Sequence, residues 1–358
     1  MKKRIATLLI AVMCVVMLGG CKASNSPKEK NPETTDQVSE EVSDESVVQE
    51  ENTSQNENDS YYPVTITTYN YNHEKVEVTF DSMPEKVICA YQNNIETMMA
   101  LGLEDKIVYA FGMDDEIADE FAEAFSKIQY SNERPSKEDA IAMQPDLILG
   151  WYSLFADDRL GDVDFWIDRN CNTYMSLNSS AMGSSEEFPR TTEYEYEDIM
   201  NIGIIFNCVD KAQALVDQMK AEETKAAEYA QTIEAPLSVA ILEDESGSYR
   251  VYGADTLGGD IATKAGAVLA VGSEDSSNIS AEDLIAADPD VIFMVYYTGY
   301  INEDEAIASI MDNKAFSSLS AVKNKRVYAL NLTSIYCSGI RTYEGITNIS
   351  SALYPELQ

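Results

Sequence analysis

The chain has 358 residues, the length of one large domain or two of ordinary size. Hydrophobic residues make up 45% and charged residues 24%, the balance of a globular protein, but 62 Asp+Glu stand against 25 Lys+Arg, a formal net charge of −37. That surplus argues against nucleic acid, which needs a basic surface to release counterions. The single histidine, His73, cannot build a multi-histidine zinc or manganese site.

Residues 1–20 read as a cleaved export signal. Met1 to Arg4 is a basic n-region, and Ile5 to Leu18 is an apolar run too short to span a bilayer comfortably. The run ends in Leu18-Gly19-Gly20-Cys21, which resembles a bacterial lipoprotein cleavage site. Cys21 would become the lipidated N-terminus, anchoring the protein to the membrane without a spanning helix. A plain signal peptide with an incidental cysteine is the alternative. Residues 21–60 are rich in Asn, Ser, Thr, Gln and Glu and hold no aromatic residue. They cannot bury enough apolar surface to offset ordering entropy and read as a disordered, acidic tether.

The folded part begins near Tyr61. Val64–Tyr69 and Val76–Phe80 alternate apolar and polar residues around Asn70–His73, the pattern of a β-hairpin with His73 exposed at its turn. Strands and helices then alternate. Val87–Ala90, Ile107–Ala110, Asp146–Leu149 and Thr173–Ser176 read as strands. Ile95–Leu101 reads as a helix capped by Asn93 or Asn94 and stopped by Gly102. Such alternation predicts parallel sheet with helices on its faces.

An internal repeat divides the chain. Ser136–Ile148 recurs as Ser280–Ile292, with Ser, Glu-Asp, Ile-Ala, Pro-Asp and the final Ile in common. Each copy predicts a helix N-capped by serine, with aspartate at the third helical position, that ends at proline and enters a strand. Gln92–Leu103 corresponds more loosely to Thr256–Ala267. The first half therefore carries extra residues between these landmarks, read as an acidic helix over Asp114–Phe125. The prediction is two related Rossmann-like α/β lobes, residues 61–208 and 234–358, with a ligand cleft between them. Residues 209–233 carry a helical apolar stripe from Leu215 to Ile233, capped by Asp210, and read as one long helix joining the lobes. Cys89, Cys171, Cys208 and Cys337 form no CxxC pair, so free thiols and disulfides both remain open.

The order of these pieces resembles the ABC-transporter substrate-binding lipoproteins of the ferric siderophore, haem and cobalamin class. Carrying the resemblance are the lipobox, the tether, the hairpin, Pro84–Ile88, Glu96–Ile107, the paired Pro-Asp strands and the single long helix. It covers Tyr61 to Gln358 and implies a ligand held between the lobes by loops at strand C-termini, in line with the general rule for open α/β sheets. Those loops hold Tyr91, Gln92, Asn93, Trp151, Tyr152, Tyr296, Tyr297 and Tyr336. Large rings suit a broad chelated ligand, an iron–siderophore complex or a tetrapyrrole. Arg341 follows Gly339 where the family often has Gly-Pro-Arg. Ile340 here replaces the proline, and Arg341 is a candidate partner for an anionic ligand group, with Arg190 a weaker one.

Glu138 and Glu282 occupy matching first-turn positions of the repeat, where acids favour the helix dipole. The resemblance implies more, that the pair docks an ABC permease. No GxSxG, HExxH, P-loop or complete GxGxxG is present, so no enzyme, metal or cofactor is expected. A glycosidase-like or adhesive surface lipoprotein is the alternative from another class, but neither accounts for the two-lobe repeat.

Overall fold

A computed structural model describes residues 61–180, 188–274 and 277–357. They fall in one compact unit. The expected signal segment, the expected lipidation site Cys21 and the expected tether lie outside the described residues.

The hairpin is formed by β1 (Val64–Tyr69) and β2 (Lys75–Phe80), antiparallel with Val64 opposite Phe80. Alternation buries Ile66, Val78 and Phe80 and leaves Thr65 and Thr79 outside, paired through their hydroxyls at 2.8 Å. His73 takes the left-handed conformation at the turn, φ 63°. It is half-buried rather than fully exposed, because its Nδ1 lies 2.6 Å from the Ser180 carbonyl and fastens the turn to the body.

The N-terminal lobe is a five-stranded parallel sheet in the order β5-β4-β3-β6-β7. These are β3 (Val87–Ala90), β4 (Ile107–Phe111), β5 (Tyr130–Ser131), β6 (Leu147–Gly150) and β7 (Asn172–Met175). The C-terminal lobe repeats the plan with β8 (Ser238–Asp244), β9 (Tyr249–Val251), β10 (Val268–Leu269), β11 (Val291–Tyr296) and β12 (Val327–Asn331). Its order is β10-β8-β11-β12, parallel, with β9 added antiparallel to the end of β8. The central strands are buried on both faces, which is why they read as unbroken apolar runs.

The two-residue period of these strands decides what each lobe shares. Val87, Cys89, Leu147 and Leu149 face the same apolar core as Val239, Ile241, Val291 and Phe293, and that core runs beneath both lobes. Ile88, Ala90 and Ile148 face a core private to the first lobe, and Ala240, Leu242 and Ile292 one private to the second. The helices Thr192–Ile205, Val209–Ala230, Leu257–Lys264 and Thr342–Leu353 close the shared core, contributing among others Ile199, Val216, Ile261 and Ile349.

The repeat is expressed physically as well as in sequence. Helices Lys137–Met143 and Ala281–Ala287 are capped by Ser136 and Ser280, which accept from the amides of Asp139 and Asp283 at 3.0 and 3.2 Å. Both end in a left-handed residue, Gln144 and Asp288, just before the proline. The shared aspartate has a role the pattern alone did not suggest. Asp146 accepts from the amides of Glu85 and Lys86 at 2.8 and 2.9 Å, and Asp290 from the amide and hydroxyl of Ser238 at 2.9 and 2.8 Å. Each pins the entry of the neighbouring strand, β3 or β8.

Three expectations are corrected. The first helix starts earlier, at Gln92, with Tyr91 at its N-cap and no side-chain cap, because Asn93 and Asn94 turn their amides to other partners. The long helix is Val209–Ala230, about 33 Å at 1.5 Å per residue, with Cys208 at its N-cap, so Asp210 lies inside its first turn rather than capping it. Over Asp114–Phe125 only Asp119–Phe121 and Ala122–Phe125 are helical, since Asp115 and Glu116 are drawn into contacts with the opposite lobe. The four cysteines are free thiols, three of them buried.

Candidate ligand cleft between the lobes

The first helix and the loop after β6 build one wall. Tyr91 follows β3 with φ 72°, a conformation a bulky side chain rarely adopts. Its amide is held by the Phe111 carbonyl at 2.9 Å, and its ring stacks on Trp151, with centroids 4.3 Å apart and planes 18° apart. Strain of this kind collects where a structure positions a side chain for use. Asn93 orients the indole by accepting from Trp151 Nε1 at 2.9 Å while donating to Ser176 at 3.1 Å. From the opposite lobe Tyr336 approaches to 5.9 Å from the Trp151 ring. Two guanidinium groups lie over Tyr336, Arg190 at 5.3 Å and Arg250 at 5.9 Å, within cation–π range.

Of the sequence candidates, Tyr91, Gln92, Asn93, Trp151, Tyr336 and Arg341 thus converge where the lobes meet. The gap enclosed by Gln92, Asp114, Trp151, Leu332, Thr333, Tyr336 and Cys337 is about 10 Å³, room for one water. A chelate of several hundred Å³ requires these rings to part. Tyr152 and Tyr296 go elsewhere. The chain turns into a short 3-10 helix, Tyr152–Phe155, directly after Trp151, so Trp151 enters the cleft while Tyr152 stacks on Tyr71 of the hairpin at 6.1 Å. Likewise Tyr296 lines a separate hollow with Phe293, Glu303 and Tyr328, whereas Tyr297 stacks on Tyr300 at 5.2 Å and lies near Glu243 and Arg250. A hollow of about 560 Å³ beside the hairpin, lined by Thr67, Tyr69, His73, Lys75 and Phe188 among others, draws no residue from the C-terminal lobe and is not this cleft.

The floor of the cleft is a buried ion pair that the sequence did not announce. Arg341 donates from Nε to Glu96 Oε2 at 2.6 Å and from a terminal nitrogen to Oε1 at 2.7 Å, with the Glu96 side chain fully buried. The same Glu96 oxygen accepts from Gln92 at 2.7 Å and from the Ala118 amide at 3.2 Å. Arg341 also donates to the Glu116 carbonyl at 2.7 Å and reaches Asp115 at 3.5 Å. Asp115 in turn accepts from Thr298 at 2.6 Å and Asn331 at 2.5 Å, both in the opposite lobe. Burial works to raise the Asp115 carboxyl. The hydrogen bonds from Thr298, Asn331 and the Glu116 amide, with the Arg341 charge, outweigh it and hold the group below its usual value. Gly339 is required here, since φ is +54° and an added Cβ would lie 2.6 Å from Thr97 Oγ1 and 2.8 Å from the Asn93 carbonyl.

Behind this contact lies a second buried acidic pair. Glu195 accepts from Asn178 at 2.6 Å and from the Gly339 amide at 2.6 Å, and Asp198 accepts from Tyr174 at 2.6 Å. Burial pushes Glu195 up to about 7 and Asp198 well above its usual value, with the Glu195 charge adding to the second shift. Raised folded values bind protons that the unfolded chain releases. The stabilisation is complete below the ordinary glutamate value of 4.5 and is lost as pH rises through about 7. Stability measured by urea unfolding is therefore expected to fall by on the order of 2–3 kcal/mol between pH 5 and pH 8. In Glu195→Gln the fall should shrink; an unchanged slope would place the proton uptake elsewhere.

Glu96, Asp115, Glu195 and Arg250 escaped sequence reasoning. A usable signal for Glu96 was an acid set among Ile95, Met98 and Met99 on a short helix. Glu138 and Glu282 are both exposed in the first turns of their helices, outside the cleft. Among the described residues no group of three or more His, Cys, Asp or Glu is placed to hold a metal ion. No helix among them is long and apolar enough to cross a membrane.

Two α/β lobes on a shared core, with aromatic side chains meeting at strand C-termini, define a substrate-binding protein of the bilobal kind. The chain belongs to the periplasmic binding protein family, whose pattern it matches over residues 87–332, and is a substrate-binding protein of an ABC transporter. It is 24% identical over 366 residues to an uncharacterised ABC-transporter substrate-binding lipoprotein, YvrC of Bacillus subtilis, covering 99% of each chain. A periplasmic binding protein from Veillonella parvula superposes with a TM-score of 0.76 at 32% identity, over 82% of this chain and 92% of that one. A protein of an ABC-type Fe3+-hydroxamate transport system from Saccharomonospora viridis shares the fold, with a TM-score of 0.64 at 22% identity, over 82% of this chain and 99% of that one.

Proposed function

We propose that this protein captures a ferric siderophore-type chelate outside the cell and delivers it to an ABC permease, anchored to the membrane through lipid on Cys21. The observation that carries the ligand class is the aromatic cluster Tyr91–Trp151–Tyr336, assembled from both lobes and tensioned by the unusual backbone of Tyr91. Rings on two sides of a cleft give a wide, rigid contact at low entropy cost, as a rounded chelate needs. The Fe3+-hydroxamate transport system to which the Saccharomonospora neighbour belongs supports the same class.

Only two tryptophans are present, and Trp166 is 1% exposed, so quenching of fluorescence by a ferric chelate reports chiefly on half-buried Trp151. Titration with ferric siderophores, haem and corrinoids is expected to show binding of an iron chelate. Trp151→Ala should weaken that binding about 10- to 100-fold by calorimetry, since a central aromatic anchor contributes about 1–3 kcal/mol. Preference for haem or a corrinoid would move the ligand class within the family, and a folded protein that binds none of them would end the proposal. Cys21→Ala is expected to release the protein to the medium or leave an uncleaved precursor. Retention of a matured form on the membrane would rule out the lipid anchor.

A further inference from the structure

We propose that the cleft selects ligands without net negative charge, a neutral or singly cationic ferric chelate, and discriminates against polyanionic ones. This rests on the reading that the aromatic cleft binds an iron chelate, and it concerns which chemistry of chelate fits. In a chain with surplus arginine at its cleft, an anionic ligand would find free guanidinium groups. Here the guanidinium groups are already engaged. Arg341 is closed off by both oxygens of Glu96 and approached by Asp115. Arg250 lies 3.7 Å from Glu243, which is itself held by the Tyr252 hydroxyl at 2.7 Å. Arg190 donates to the Asp255 carbonyl at 3.3 Å and covers Tyr336.

Against these stands Asp114, in the lining of the gap beside Trp151 and Tyr336. Among the described residues no lysine or arginine pairs with it. Its carboxylate still meets solvent, yet the surrounding protein and then the Asp115 charge push its carboxyl up, the mark of an acid with no cation to offset it. The cleft therefore sets Glu96, Asp114, Asp115 and Glu243 against Arg190, Arg250 and Arg341, an acidic balance, inside a chain of net charge −37. Like-charge juxtaposition in a partly desolvated cleft is a strong discriminator, and the field of the whole chain slows approach of anions. Three hydroxamates cancel the ferric charge, whereas three catecholates leave a trianion, so the two chelate types separate the cases.

The test titrates wild-type protein, by tryptophan quenching at fixed salt, with a neutral ferric trishydroxamate, a singly cationic linear ferric trishydroxamate and a ferric triscatecholate. The triscatecholate is expected to bind at least about 30-fold more weakly than the tighter hydroxamate. A smaller gap, or a preference for the trianion, overturns the charge selectivity while leaving the siderophore reading in place. Binding of none of the three overturns the siderophore reading itself and this inference with it. Asp114→Asn and Glu96→Gln should each narrow the ratio by about tenfold. If Glu96→Gln does not fold, Asp114→Asn decides alone, because Asp114 has no ion pair to lose; an unchanged ratio there overturns the proposal.

Discussion

Glu96→Ala is expected to cost about 3–5 kcal/mol of folding stability, a large fraction of what a protein of this size possesses. The substitution would leave the Arg341 guanidinium buried with the Glu116 carbonyl, Thr333 at 3.1 Å and Asp115 at 3.5 Å, but without its bidentate counter-charge. A guanidinium taken out of water with neutral partners and one carboxylate at 3.5 Å retains most of its desolvation cost. The ion pair joins the first helix to Gly339–Arg341 of the other lobe, so the loss falls on the contact between lobes. The double variant Glu96→Leu with Arg341→Met should recover most of the stability, since an apolar pair of similar volume removes both charges together. Urea unfolding of the three proteins measures this. A loss below about 1 kcal/mol in the single variant would mean that Asp115 and the backbone suffice for Arg341.

Charge reversal at Glu138 and Glu282 together is expected to abolish uptake while leaving ligand affinity nearly unchanged. The pair occupies equivalent first-turn positions of the two repeats, exposed in both lobes and outside the cleft. A permease of two similar halves can receive one acid in each through arginine, and loss of a partly desolvated charge pair costs on the order of 2–5 kcal/mol. The caps survive the change, because Ser136 and Ser280 bond the amides of Asp139 and Asp283 rather than the glutamates. Stability should fall by only about 0.3–1 kcal/mol for each lost first-turn acid. Transport assays, calorimetry and a melting curve on the same double variant separate the outcomes. Uptake at the wild-type rate would show that these acids only stabilise their helices. Lost affinity in a folded variant would mean that the cleft is on the wrong face.

Which features were legible in the sequence follows from the range over which each is encoded. The serine caps, the Pro-Asp entry to each strand and the hairpin involve residues within a few positions of one another, and their periodicity and turn chemistry survive without the rest of the chain. The offset of 144 between Ser136 and Ser280 carried the two-lobe plan, because duplicated local patterns imply duplicated cores. Local rules failed where a distant partner outbid the local one. Asn93 has the side chain of an N-cap, yet its amide holds Trp151 and Ser176 instead. The acidic stretch from Asp114 has good helix formers, but Asp115 and Glu116 bond the opposite lobe and stay outside any helix.

The sequence by itself determined the class of fold, the order of its elements, the existence of aromatic loops at strand ends and the matching acids of the two repeats. The tertiary structure decided which of those aromatics meet: Tyr91, Trp151 and Tyr336 converge, while Tyr152 and Tyr296 turn to other surfaces. It also decided the electrostatics of the cleft, by setting Arg341 against Glu96 across 245 positions of chain. Strand and helix periods are properties of neighbouring residues and can be read along the chain. The partner of a buried charge is fixed only when two lobes dock, since desolvation then compels it to find an opposite charge that no local pattern records.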